Sequence, residues 1–348
     1  MDFGTFMEFE VRGAGPAAAF EEGFHLVDAA EAWGLDIVWL GEMHFTPARS
    51  VLSAPIAVAS AIATRTKRLR MGLAVQVLPL NNPLRIAEEV ATVDQISRGR
   101  FDFGIGRSGF PRVYDIYGVP YAESQARFHE ALEIILEAWK GEPFSHEGQF
   151  YRFQNAQVSP RPYQLPHPPL RMAATTEETF PRVGAMGLPI FVGLRGMDVS
   201  VLRRHVQTYR EAWRAAGHPG NGDVCLRIPV YAAPTEREAL EEPYDSITYY
   251  FSRQADLTKG AVGREGAGPA ERQQARVDRL QSLDYQQILR ERVAFGSPAG
   301  LIDRLTALRE ALTLDSIAAE LNSGGMLAPE QVERTLRLLT QEVMPAFK

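Results

Sequence analysis

In Glu42-Met43-His44 a carboxylate and an imidazole stand two residues apart, just past an apolar run. In extended chain both side chains project to the same side. Such a pair can act as a general base with its orienting carboxylate, or supply two metal ligands. It can equally be a histidine hydrogen-bonded within a packed loop. No third ligand lies nearby and the other six histidines are scattered, which disfavours a metal. A second candidate is Gly104-Ile-Gly106-Arg107-Ser-Gly109, which matches G-x-G-x-x-G after another apolar run. A dinucleotide site needs a helix to begin inside that motif, so that its amides face the pyrophosphate. Here Phe110-Pro111-Arg112 follows, and the next long helical period starts near Ser124. The glycines still allow close approach of backbone to a ligand. Arg107 offers paired donors suited to a phosphate, with a surface salt bridge as the plain alternative. The third candidate is Ala173-Ala174-Thr175-Thr176-Glu177-Glu178-Thr179. Threonine followed by glutamate resembles a capping box, yet the same hydroxyls and amides could hold a phosphate together with Arg107. No P-loop lysine, G-x-S-x-G elbow or paired-cysteine pattern is present.

These groups must be positioned by the elements around them. Eight short apolar runs punctuate the chain: Phe3–Phe9, Asp36–Leu40, Leu69–Val77, Phe101–Ile105, Leu170–Ala174, Pro189–Gly193, Val224–Tyr231 and Ser316–Leu321. Between most of them lies helical spacing, as in Ala17–Trp33, Ala54–Ala63, Ser124–Lys140 and Val199–Ala216. Eight strand-then-helix units predict an α/β fold, a (β/α)8 TIM barrel, in one domain spanning 1–348. Such a barrel places its chemistry at the C-terminal ends of its strands, where all three candidates fall. Two regions break the pattern. Residues 142–169 hold six prolines and no helical period, which predicts an ordered irregular insertion. Residues 257–275 are rich in glycine and charge, too poor in apolar residues to pack tightly, and read as a mobile lid.

Composition narrows the classes. A formal net charge of −6 argues against a nucleic-acid partner. The one cysteine, Cys225, cannot form an internal disulfide and reads as a buried small residue. No apolar run approaches a membrane span, and the opening MDFGTFMEFE carries acids where a signal peptide carries basic residues. A cytoplasmic location is the expectation.

The chain resembles the bacterial luciferase-like flavin-dependent monooxygenases. The likeness is carried by Met1–Phe6, Val38–Thr46, Gly72–Pro79 with Asn82–Arg85, Asp94–Arg107, Gly187–Pro189 and Glu342–Pro345, in that order along nearly the whole chain. The resemblance implies a barrel that binds flavin at its strand ends. Arg107 would hold the FMN phosphate, with Ala174, Thr175, Thr176 and Thr179 around it. Ala74-Val75 would form a non-proline cis peptide beneath the flavin ring. His44, oriented by Glu42, would move a proton or position a flavin C4a-hydroperoxide formed from reduced FMN and O2. A separate flavin reductase would supply the reduced cofactor. The substrate would be a small, apolar organic molecule, with Phe6, Phe110, Tyr114, Leu194 and Arg195 as lining candidates. A homodimer would form through the helices of residues 54–63 and 85–96. The sequence departs from true luciferases at Met43, Gly106 and Leu194, where that group has histidine, a reactive cysteine and tryptophan, so light emission is not expected. F420-dependent oxidoreductases and non-catalytic flavin-binding relatives share the same barrel and remain as alternatives.

Overall fold

Strands buried on both faces read as near-continuous apolar runs, because helices cover the outside of a parallel barrel and side chains fill the inside. The computed structural model, which describes residues 1–348, forms strands on each of those runs and three more outside them. They are β1 (Asp2–Met7), β2 (Ile37–Leu40), β3 (Arg70–Leu73), β4 (Gln76–Val77), β5 (Phe101–Gly106), β6 (Phe144–Glu147), β7 (Arg152–Ala156), β8 (Leu170–Ala173), β9 (Ile190–Gly193), β10 (Val224–Ala232), β11 (Ala294–Gly296) and β12 (Ser316–Glu320). Eight of them close a parallel barrel in the order β1, β2, β3, β5, β8, β9, β10, β12 and back to β1. The long run at 69–77 splits because the chain breaks at Ala74-Val75, after which β4 pairs only with β5. The first run stops at Met7, and Phe9 turns out of the sheet with φ 53°.

Helices return the chain between strands: α1 (Pro16–Ala32), α2 (Pro55–Arg65), α3 (Pro83–Ser97), α4 (Pro111–Tyr117), α5 (Ser124–Ala138), α6 (Thr179–Ala185) and α7 (Val199–Ala215). Between β10 and β11 come α8 (Glu236–Glu241), α9 (Tyr244–Lys259), α10 (Ala270–Gln281) and α11 (Tyr285–Glu291), and the chain ends with α12 (Pro298–Leu312) and α13 (Pro329–Leu338). One cluster of 69 buried residues joins the outer faces of the strands to these helices.

The two irregular regions hold more structure than their composition suggested. The insertion at 142–169 contains the antiparallel hairpin β6–β7, followed by cis peptides before Pro160 and Pro166. The region 257–275 is helical at both ends, leaving 260–269 as the connection between α9 and α10. Its few apolar residues suffice because Val277 and Leu280 of α10 are buried, and Leu280 joins Ile247, Tyr250 and Phe251 of α9.

The period of two sorts the barrel interior into layers. Near the N-terminal ends, Arg70 pairs with Asp102, and Arg171 Nη1 lies 2.7 Å from Asp223 Oδ1. Above them Trp39 and Phe191 meet edge to face at 4.8 Å. They fit because the neighbouring inward positions lack side chains. A Cβ at Gly104 would lie 1.8 Å from the Leu73 carbonyl oxygen. The inner cluster of Phe6, Ile37, Trp39, Ala74, Phe191, Cys225 and Ala318 is the platform on which the mouth rests.

Candidate active site

Past the end of β2, Glu42 is almost fully buried, with 2% of its side chain exposed, and both its oxygens are used. Oε2 accepts from the Val77 amide at 2.7 Å, and Oε1 lies 2.7 Å from His44 Nε2. With the Nε2 proton assigned to the Glu42 bond, Nδ1 accepts from the Tyr117 hydroxyl at 3.2 Å. The expected acid–imidazole pair is therefore formed, and Tyr117 of α4 extends it to a chain of three. Sequence reasoning missed Tyr117 because α4 lies in the stretch after the glycine motif, where no helix was expected before Ser124. A cleft opens from this group across α2 and α3, with Gln76, Asn81 and Arg85 along it.

Ala74-Val75 is a cis peptide. Ala74 packs into the inner cluster, and Val75 leans against it. The adjoining β5 makes room: a Cβ at Gly106 would lie 2.4 Å from Val75 Cγ2. Gly104 and Gly106 are thus barrel-wall positions within β5, and no helix starts inside the G-x-G-x-x-G string.

Arg107 leaves the end of β5. Its Nη1 donates to Ser124 Oγ at 2.9 Å and to the Gly266 carbonyl at 3.3 Å, and its guanidinium sits 5.2 Å from the Tyr121 ring centroid. No carboxylate lies within ion-pair distance of it, so the salt-bridge alternative does not hold. The buried Tyr114 donates its hydroxyl to the Arg107 carbonyl. Tyr114 therefore anchors the arginine rather than lining a pocket.

On the neighbouring β8, the buried Ala174 donates its amide to the Phe191 carbonyl at 2.9 Å, while Thr175 and Thr176 are exposed. The expected capping box is not formed. Glu178 is the N-cap of α6 and makes no side-chain cap, because the hydroxyls of Thr176 and Thr179 bond to each other at 2.8 Å. Glu178 instead turns outward to Arg272 of α10. The lid region thus crosses this part of the mouth, with Arg264 Nη2 a further 2.7 Å from Asp115 Oδ2 of α4.

The other half of the mouth was largely missed. Following the inward register toward the strand ends and one step past them gives Glu8 after β1, Arg195 after β9, Arg227 within β10 and Glu320 at the end of β12. Arg227 Nη2 lies 2.9 Å from Glu320 Oε2 and 3.7 Å from Glu8 Oε1, with its guanidinium 3.3 Å above the Phe6 ring centroid. Arg49 pairs with Glu8, and the Tyr250 hydroxyl donates to Glu320 at 3.3 Å. Burial alone would raise the Glu320 carboxyl, but the guanidiniums of Arg227 and Arg195 outweigh it and hold it below its usual range. Nearby, burial and then the charge of Glu8 push the Glu10 carboxyl up to about 7. Of the remaining lining candidates, Leu194 packs in the outer core and Arg195 turns inward to the charged groups. A strict period of two applied along each apolar run, and one step beyond the run at 189–193, would have found this cluster.

Polar groups gathered around the C-terminal rim of a closed parallel barrel define a (β/α)8 enzyme. The chain belongs to the luciferase-like monooxygenase family, whose pattern matches residues 1–315. It is 26% identical over 342 residues to the oxygenase component of a flavin-dependent trigonelline monooxygenase of Acinetobacter baylyi, covering 94% of this chain and 90% of that protein. Among solved structures it superposes with a TM-score of 0.82 on the oxygenating constituent of 3,6-diketocamphane monooxygenase from Pseudomonas putida in complex with FMN, at 22% identity over 99% of this chain and 98% of that one. The F420-dependent tetrahydromethanopterin reductase of Methanopyrus kandleri shares the fold at a TM-score of 0.75 and 19% identity, covering 100% of this chain and 99% of that one. The protein is accordingly an enzyme, a flavin-dependent oxidoreductase of the luciferase-like kind. No helix is long and apolar enough to cross a membrane.

Proposed function

We propose that this chain is the oxygenase component of a two-component monooxygenase, taking reduced FMN from a separate flavin reductase and using O2 to oxidise a small organic substrate. The observation that carries this reading is Arg107, a guanidinium with no carboxylate partner at the end of β5, with threonine hydroxyls following the paired strand β8. The residues fit a flavin mononucleotide. Arg107 with Thr175, Thr176 and Thr179 suits a phosphate. Ala74-Val75, with no side chain on Gly106 behind it, offers a flat backbone surface for a ring system. The relative described as an oxygenase component and the fold neighbour solved with FMN support the same cofactor and division of labour.

Reduced FMN, when bound, supplies the electrons that activate O2 for transfer of one oxygen atom to the substrate. Around it, Glu42 fixes the His44 ring, and the imidazole holds or moves a proton at Nε2 or Nδ1. Tyr117 donates to Nδ1 from the other side, matching the tautomer that Glu42 sets. The α9–α10 connection, held at Arg107 and Asp115, and the start of α10, held at Glu178, exclude water from the mouth. We further place the protein in the cytoplasm as one catalytic unit of residues 1–348. It forms a homodimer through α2 and α3, where Ile96 is exposed, and size-exclusion chromatography with light scattering checks this.

Fluorescence titration of the flavin-free protein with FMN, riboflavin and F420 tests the cofactor. Arg107→Ala should weaken FMN by about 10- to 100-fold, as expected for loss of a charge-assisted phosphate contact, and leave riboflavin unchanged. Equal affinity of the variant for FMN sinks the phosphate assignment. Strong binding of F420 with none of FMN favours an F420-dependent oxidoreductase, and tight FMN binding without oxygen-dependent turnover favours a non-catalytic flavin carrier.

A further inference from the structure

We infer that the half of the barrel mouth formed by the ends of β9 and β10 together with α10 is a receptor for an organic anion, so that the substrate carries a carboxylate or an equivalent acidic group. This rests on the monooxygenase reading for its place beside the flavin surface and names the substrate class of that site. An apolar substrate was the expectation from the sequence, and the side chains at this rim oppose it.

The chain as a whole carries a net charge of −6, yet guanidiniums crowd this part of the mouth. Arg49, Arg195, Arg227, Arg253 and Arg276 face a region whose buried carboxylates are Glu8 and Glu320. Both carboxylates are already engaged, Glu8 by Arg49 and Arg227, and Glu320 by Arg227 and by the charge of Arg195. Arg195 and Arg276 have no acid within ion-pair distance. Arg195 turns from the end of β9 toward the Tyr250 hydroxyl. Arg276 reaches in from α10 and lays its guanidinium on Gly196, where a Cβ would stand 2.7 Å from Nε. That Nε is shielded from solvent and makes no hydrogen bond, and neither does the buried Nε of Arg227.

Arg195 is balanced by Glu320 and Glu8, but Arg276 is buried beside that positive charge with an unsatisfied Nε, which costs free energy unless an anion sits with it. Arginine forks match the paired oxygens of a carboxylate. Gly196 carries no side chain, and this is what lets the Arg276 guanidinium lie against the chain just past Arg195. A neutral apolar ligand would remove water from the guanidiniums and return nothing. One of the pair rides on α10, so an anion bound there also bridges the barrel to the lid.

Calorimetric titration of the flavin-free protein at low salt tests this with acetate, butyrate, benzoate and 3-phenylpropionate, each against its primary amide. The variants are Arg195→Gln, Arg276→Gln and the double, with Arg276→Lys as the charge-preserving control and thermal melting to verify folding. At least one acid should bind ten-fold or more tightly than its amide. The double variant should abolish that preference, and Arg276→Lys should retain part of it. FMN and riboflavin affinities should stay as in the wild type. Acids that bind no better than amides, or a panel in which no acid binds, overturn the inference, as does a preference that survives in the double variant. If the double variant weakens FMN and spares riboflavin, the arginines serve the cofactor phosphate and the inference is wrong. None of these results bears on the Arg107 titration, so failure here and failure of the monooxygenase reading are read separately.

Discussion

Glu42 has two tasks that substitution can separate. Its Oε2 satisfies the Val77 amide and its Oε1 orients His44. Glu42→Gln keeps an oxygen for Val77 but turns an amide NH2 toward the imidazole, which reverses the ring's tautomer. We expect a stability loss below about 1 kcal/mol, since the buried donor stays paired, and a kcat loss of roughly 100-fold, the usual size of a proton-transfer contribution. Glu42→Ala should show the same kcat loss with about 1–3 kcal/mol less stability, because the Val77 amide is then left without a partner. Thermal melts beside steady-state turnover separate the two, and a Gln variant of full activity would remove Glu42 from the mechanism. His44→Ala should lower turnover comparably while FMN still binds, and substrate oxidation unchanged in that variant would rule out the imidazole's role. Glu10 makes a pH prediction. Burial, then Glu8, raises its folded carboxyl to about 7, above an unfolded value near 4.5. The folded state therefore binds the extra proton between those values, and stability falls as pH rises through that window. Glu10→Gln should be more stable than wild type at pH 8, by on the order of 1 kcal/mol after allowing for its partial exposure, and equal to it near pH 4. Chemical denaturation at the two pH values checks the sign.

The strands were legible in the sequence because each crosses a wall buried on both sides, which leaves an apolar run bounded by polar turns. Helix ends agreed within a few residues where proline or glycine marked them, as at Pro83 and Arg98-Gly99. What failed to show was anything that depends on partners distant in sequence. The hairpin β6–β7 has no apolar alternation, because both its faces are partly exposed. The Thr-Glu string read as a cap, but Glu178 found Arg272, 94 residues away. Arg195 reads as a lining candidate by itself, and Glu8, Arg227 and Glu320 do not stand out within their apolar runs, since nothing local says that these four charges meet. The glycine string shows the same dependence and can be tested. Gly106→Ala should push Val75, displace the Ala74-Val75 surface and weaken FMN by at least about ten-fold, whereas at Gly109 a Cβ meets nothing within 4 Å and alanine should be silent. Equal FMN affinity in the two variants would show that the Ala74-Val75 segment does not contact the ring.

At the scale of the whole molecule, a rigid barrel carries a movable cover. The barrel is held by the large core and a closed ladder of strands, while the 260–269 connection and the start of α10 touch it through exposed ion pairs and the edge contact of Ala267 with Val77, Tyr114 and Tyr121. Arg264 pairs with Asp115, Arg272 with Glu178, and the Gly266 carbonyl accepts from Arg107. Exposed ion pairs contribute little to global stability, so this is the part of the chain best suited to open and close. Opening admits the reduced cofactor and substrate, and closing keeps water from the reacting centre. The two ion pairs then act as latches, and removing them should change timing more than folding. For Arg264→Ala/Arg272→Ala we expect Tm within about 2 °C of wild type but faster limited proteolysis within 260–269. More of the consumed O2 should be released as hydrogen peroxide instead of reaching product, because an open mouth lets the activated oxygen escape to water. Peroxide release measured per O2 consumed decides the matter. A double variant that is cut faster yet stays fully coupled would mean that the cover moves without protecting the chemistry, and the exclusion of water would have to be assigned to the barrel rim itself.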